Sequence, residues 1–162
     1  MKRTIAFLLT VILVFSIIPC TAACAEEEPV YTDVIRFEDG SFAVVTITQD
    51  SLSSAPSLRA KASSSVKNGS KTFTYYGSDG AAKWAATLNA SFTYNGSTSS
   101  CTAANCTVSI YNSSWYTISN SSTHSGNTAT ANVTMGHKLA GVTIEKKTAS
   151  ITLSCDANGN LS

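Results

Sequence analysis

Between Lys83 and Asn95 the chain alternates without a break. Trp84, Ala86, Leu88, Ala90, Phe92 and Tyr94 hold one parity, and Ala85, Thr87, Asn89, Ser91 and Thr93 the other. Successive side chains of a strand take opposite faces, so a run this long at period two fits a strand with one apolar face and excludes a 3.6-residue repeat. The same pattern recurs more weakly around Phe73 and Tyr75, through Cys106, Val108 and Ile110, and from Trp115 to Ser119. It returns with Ala129, Ala131, Val133 and Met135 set against Thr128, Thr130, Asn132 and Thr134. It appears last with Val142 and Ile144, then Ala149, Ile151, Leu153 and Cys155. Ser78-Asp79-Gly80, Asn95-Gly96, Asn112-Ser113-Ser114 and Ser125-Gly126-Asn127 separate the runs and carry turn chemistry. Short strands at this spacing, wet on one side, predict an all-β fold over residues 70–162: a small antiparallel β-sandwich, immunoglobulin-like in the broad sense.

Upstream, Tyr31–Phe37 and Phe42–Thr48 alternate around Asp39-Gly40, which predicts an additional N-terminal β-hairpin within residues 26–50. A lone hairpin is marginal in water, so it is expected to pack on the main domain or add to its sheet. Residues 51–69, rich in Ser and Ala and containing Pro56, Arg59, Lys61 and Lys67, read as a flexible linker.

The first residues carry a different signal. Lys2 and Arg3 precede an apolar run from Ile5 to Ile18, Pro19 breaks it, and Ala23-Cys24-Ala25 offers small residues for cleavage after Ala25. A run of this length suits a secretory signal peptide over residues 1–25 and is short for a membrane span. The expected localisation is secreted, extracellular. Thr21-Ala22-Ala23-Cys24 also approximates a bacterial lipobox with Thr in the usual aliphatic position, so lipid anchoring through Cys24 is the alternative and the one route by which a membrane becomes a partner.

Removal of the signal leaves about 137 residues, enough for one domain with a real core. Charged residues make up 13% of the chain and apolar ones 43%, so Ser, Thr and Asn must supply most of the wet surface. Acids crowd the first mature segment, with Glu26, Glu27, Glu28, Asp33, Glu38, Asp39 and Asp50; after Gly69 only Asp79, Glu145 and Asp156 remain. The net charge of +1 and the absence of a dense basic stripe argue against nucleic acid. Export exposes Cys101, Cys106 and Cys155 to oxidising conditions. A Cys101–Cys155 disulfide is the favoured pairing, with Cys106 as a small buried hydrophobe; pairing through Cys106 stays open. Cys101, Trp115 and Cys155 imitate immunoglobulin spacing, but Leu153 stands where the corner tyrosine belongs and too little chain follows Cys155 for a closing strand.

Phe37-Glu38-Asp39-Gly40-Ser41, Lys71-Thr72-Phe73-Thr74-Tyr75-Tyr76, Ser91-Phe92-Thr93-Tyr94-Asn95-Gly96 and the stretch from Ile110 to Trp115 give the chain a further likeness. In these segments it resembles small secreted β-rich proteins of unknown function from Gram-positive, gut-type anaerobic bacteria. The resemblance implies export and a β-fold, and it brings no activity or site residues.

Catalysis needs convergent ionisable groups, and the sequence offers few. His124 and His137 read as solvated loop residues, and three scattered acids after Gly69 do not make a paired-carboxylate hydrolase. No metal-binding run, Gly-x-Ser-x-Gly elbow or phosphate loop is present, so no catalytic residue, metal or cofactor is expected and the chain does not read as an enzyme. Asn-x-Ser/Thr triplets at Asn68, Asn89, Asn95, Asn105, Asn112, Asn120 and Asn132 follow from a composition rich in those residues. Adjacent aromatics in strands point to opposite faces. With Tyr75 and Trp115 inward, Tyr76, Tyr116 and also Tyr111 face out as candidate ligand-binding residues for an extracellular glycan or protein. The expected function is a non-catalytic extracellular binding module. The alternative is a structural or accessory domain of a surface assembly; a small secreted hydrolase ranks behind both.

Overall fold

The structure, a computed structural model, describes residues 29–49 and 64–162. The signal segment, Cys24 and residues 51–63 of the stretch read as a linker lie outside the described residues. Among the described residues there is no helix. Eight strands follow one another: β1 (Pro29–Arg36), β2 (Phe42–Gln49), β3 (Ser65–Tyr76), β4 (Ala82–Tyr94), β5 (Ser99–Ile110), β6 (Trp115–Ser125), β7 (Thr128–Leu139) and β8 (Val142–Ser154). They form two antiparallel sheets, β1-β2-β3-β4-β5 and β6-β7-β8.

Each sheet is a meander in which sequence neighbours are ladder neighbours, and the chain passes between sheets once, from β5 to β6. Immunoglobulin domains distribute their strands differently, exchanging them between sheets through Greek-key connections. Loop length accounts for the simpler order. Within each sheet every described connection is a short turn, which joins neighbouring antiparallel strands; the equally short β5–β6 turn is the one that crosses between the sheets.

Strand β2 pairs with β3 along its whole length, so the acidic N-terminal strands are part of the larger sheet rather than an appendage. The turn between β1 and β2 has the Gly40 N–H bonded to the Phe37 carbonyl and the Phe37 N–H to that of Ser41, at 3.2 and 2.9 Å, with Gly40 at φ +80°. The Gly77–Ala81 turn repeats this scheme, with Gly80 at φ +74°. Glycine occupies both positions because a side chain is strained at positive φ.

Strand β3 begins at Ser65, inside the stretch that composition assigns to a linker, so residues 65–69 are strand. Asn68, Gly69 and Ser70 have weak strand propensity, but β4 pairs with the whole segment and β2 with Gly69 and Ser70, and pairing outweighs local preference.

One core fills the space between the sheets. From the larger sheet it takes Ile47, Tyr75, Trp84, Leu88, Phe92, Cys101 and Cys106. The smaller sheet contributes Trp115, Ala129, Val133, Met135, Ile151 and Leu153. Ladder partners share a face, so the inward row Ala43–Tyr75–Trp84 at one end and Ile47–Lys71–Leu88–Cys106 nearer the middle follow from the register. The outward faces carry hydroxyls in matching rows, among them Thr46–Thr72–Thr87–Thr107 and Thr123–Thr130–Thr152. Thr72 and Thr87 bond each other at 3.0 Å. Cross-strand hydroxyl pairs of this kind give a wet surface with little charge.

The expected Cys101–Cys155 disulfide is not formed. Cys101, Cys106 and Cys155 are free, buried thiols. The Cys101 and Cys155 S–H groups instead donate to the Ala103 and Asp156 carbonyls at 3.3 and 3.4 Å. Burial pushes all three thiols up from their ordinary range, which holds them protonated and unreactive. Chain spacing carries no information on how two Cβ vectors meet, and that geometry decides whether a bridge forms.

Candidate functional site

Antiparallel meanders bring alternate turns to the same end of the molecule. Here that end gathers Phe37–Ser41, Gly77–Ala81, the β5–β6 turn and the β7–β8 turn. Backbone bonds tie them together: Tyr111 N–H to the Lys83 carbonyl at 2.9 Å, and Lys138 N–H to that of Ser114 at 2.8 Å. Beneath them Trp84 stacks on Phe73 and Tyr75, with centroids 5.5 and 5.6 Å apart. Trp115 tilts against Tyr75 at 5.4 Å and stacks flat on His137 at 4.9 Å.

Above this aromatic floor opens a cleft of about 300 Å³, bordered by Asp39, Ser41, Lys83, Trp115, His137 and Glu145. Its charges are mutually satisfied. Lys147 Nζ sits 2.9 Å from Asp39 Oδ2 and 3.1 Å from Glu145 Oε1, with the rings of Phe37 and Tyr75 beside it. His137 Nδ1 is 3.6 Å from Glu145 Oε2, and Lys83 pairs with Asp79 at 2.6 Å. The Ser41 hydroxyl and N–H both donate to Asp39 Oδ1. Bonds from Ser41 first, and then from Lys147, hold the Asp39 carboxyl well below the usual range. Burial draws the Lys147 ammonium down, but its bonds to Asp39 and Glu145 outweigh that and leave it raised.

A pH dependence follows. Asp39 is depressed in the folded chain, so the stability it contributes is complete above its ordinary value of 3.8 and drains away as pH falls below that toward the folded value. In urea titrations at pH 5 and pH 2.5, Asp39→Asn is expected to lose less stability on acidification than the parent. The carboxylate is exposed, so the difference is small; equal losses in both proteins would remove Asp39 from the acid response.

The structure separates the tyrosines that the sequence singles out. Tyr76 lies on the outer face of the larger sheet, stacked on Phe42 with centroids 4.7 Å apart and planes 4° off parallel. Tyr116 lies on the outer face of the smaller sheet. Its hydroxyl is 2.7 Å from that of Thr143, Lys138 sits over its ring at 4.2 Å, and its ring covers Gly136. Tyr111 stands in the β5–β6 turn, 59% exposed. They do not form one surface, yet all three belong to the turn-bearing end, each next in sequence to a cleft residue, Gly77, Asn112 or Trp115.

His137, expected as a solvated loop residue, is instead in β7, stacked on Trp115, whereas His124 is exposed on β6. Asp39, Glu145 and Lys147 do not appear among the sequence-derived candidates. A signal for two of them exists: Glu145 and Lys147 share the parity of Ala149, Ile151 and Leu153 and therefore point inward. Among the described residues no group of three or more His, Cys, Asp or Glu is arranged to hold a metal ion. Comparison of the chain with protein-family models, with curated proteins and with solved structures finds no match.

Proposed function

We propose that this chain is an exported, non-catalytic β-sandwich module that binds an extracellular glycan or protein through its turn-bearing end. One observation carries the reading: at the turn-bearing end three turns line a cleft whose ionic groups are paired with one another, and Tyr76, Tyr111 and Tyr116 each stand next in sequence to one of its lining residues. Paired charges leave hydrogen-bonding groups without a free nucleophile or base. Tyr111, 59% exposed, offers a flat apolar face with a polar tip, a combination that suits sugars and peptide surfaces. Likeness to immunoglobulin domains extends to two antiparallel sheets around one core and stops at strand order. Export rests on the basic, apolar and small-residue series of the first 25 residues, with anchoring through Cys24 as its alternative. No cofactor enters the proposal.

Screening the mature protein on a glycan array and against extracellular proteins tests it. A selective ligand is expected, with affinity falling at least about tenfold in Tyr76→Ala or Tyr116→Ala while the far-UV circular dichroism holds. Binding untouched by either change moves the site elsewhere. No ligand together with concentration-dependent self-association favours the second reading, a structural domain of a surface assembly.

A further inference from the structure

The smaller sheet covers the larger one incompletely. β8 lies over β3. Farther out on the same inner face, Tyr31 and Ile35 of β1 are 52% and 42% exposed, although their ladder partners Ile47 and Ala43 are buried. Between this shelf and β8 runs a groove of about 350 Å³, with apolar walls that include Tyr31, Ile35, Val45 and Ile151 and with two charged residues, Asp33 and Lys71.

The chain itself begins to fill this position. After the turn at Asp156–Asn160, Leu161 bridges to Cys155 antiparallel, and Ser162 exchanges both backbone hydrogen bonds with Ser154, at 2.9 and 3.0 Å. Leu161 seats against Gly69, where a Cβ would come within 2.2 Å of its Cδ1. Since Ser154 turns its N–H and C=O toward this edge, Thr152, Ser150 and Thr148 at the same parity turn theirs the same way. Among the described residues no strand pairs with them. The result is a row of free ladder groups above an apolar shelf, in line with a strand already begun.

The shape of the shelf selects its occupant. A second copy pairing its own β8 antiparallel here would be related by a two-fold axis normal to the sheet, which puts its five-stranded sheet in the volume held by β1 and β2. A single extended segment needs only about 4.8 Å of width. Lys71 adds chemistry: it emerges on the inner face between Ile47 and Leu88 and makes no ion pair among the described residues. A half-buried ammonium favours an acidic group beside it, and Asp33 at the rim repels a second one.

We propose that the free edge of β8 accepts an extended segment of another polypeptide as a ninth strand, alternate apolar side chains facing the shelf and one acidic side chain meeting Lys71. This is recognition by strand addition, with main-chain bonds for affinity and alternate side chains for selectivity. The surface is separate from the turn-bearing cleft, and its test is independent of that reading.

The probe is a fluorescein-labelled ten-residue peptide alternating Thr with Val and Ile, with Glu at one central inward position, beside a twin carrying Lys there. Anisotropy with the full chain is expected to show saturable binding, the Glu peptide at least about tenfold tighter, and the preference reversed in Lys71→Glu. Ser150→Pro removes an edge N–H that no described strand uses and is expected to abolish binding; if it fails to fold, Lys71→Glu decides. Hydrogen exchange at Thr148, Ser150 and Thr152 is expected to be fast in the protein alone and slowed by the Glu peptide. Absence of binding, equal affinity for the two peptides, or indifference to Ser150→Pro in a folded variant would overturn the proposal. So would protection of those three amides before any peptide is added, because the edge is then already covered by this chain or by a second copy.

Discussion

Trp84→Ala is expected to lower the unfolding free energy by about 4 kcal/mol, the upper part of the range for aromatic truncation in a core. Trp84 is fully buried and touches Phe73, Tyr75 and Trp115, rings contributed by two other strands, β3 and β6, one in each sheet. Neighbours anchored on separate strands cannot collapse into the gap, which places the cost high. For a domain holding roughly 5–15 kcal/mol in total, that loss is a large share of its stability. Trp84→Phe separates packing from polarity. The indole N–H is buried without a hydrogen-bond partner, so phenylalanine gives up area but also removes an unsatisfied donor that costs about 1–3 kcal/mol. A net loss under about 1.5 kcal/mol is expected for that variant. Urea midpoints measure both, and a Trp84→Ala loss no greater than that of Trp84→Phe would contradict the packing described.

Phe92→Ala carries the second large effect, about 3 kcal/mol, for a different reason. Phe92 is fully buried on the same strand as Trp84, eight positions on, roughly 27 Å away along an extended chain. Both tryptophans lie in the cluster at the turn-bearing end, so their fluorescence reports that end alone. With one core shared by both sheets, truncation at the far end shifts the fluorescence transition and the circular dichroism transition together. If the fluorescence midpoint stayed at the parent value while the dichroism midpoint fell, the core would be two units.

The alternating runs made much of the fold legible. The inward sets of β4, β7 and β8 are buried in the structure, from Trp84 to Phe92, Ala129 to Met135 and Ala149 to Cys155, because period-two alternation reports burial directly when one face is wet. The Asp-Gly dipeptides marked two turns for an equally local reason. The start of β3 was not legible. Asn68, Gly69 and Ser70 are strand because β4 pairs with all three and β2 with the last two, and a long-range ladder leaves no trace in local composition. Strand order escaped for the same reason: eight strands of one alternation fit many pairings. The disulfide depended on geometry that spacing lacks.

The candidate site divides along the same line. The sequence by itself determined that the chain is strand-rich, that the pairs Tyr75–Tyr76 and Trp115–Tyr116 each split between two faces, and that ionisable groups are sparse, since each is a property of a residue and its near neighbours. Only the tertiary structure decided what those sparse groups do. Asp39 and Lys147 stand 108 positions apart and meet at 2.9 Å because β8 crosses over the turn that ends β1. His137 meets Trp115 because a strand from each side of one ladder holds them in register. The shelf beside β8, uncovered among the described residues, belongs to no single segment. It exists because five strands on one side face three on the other, a mismatch that arises only when two sheets are laid together.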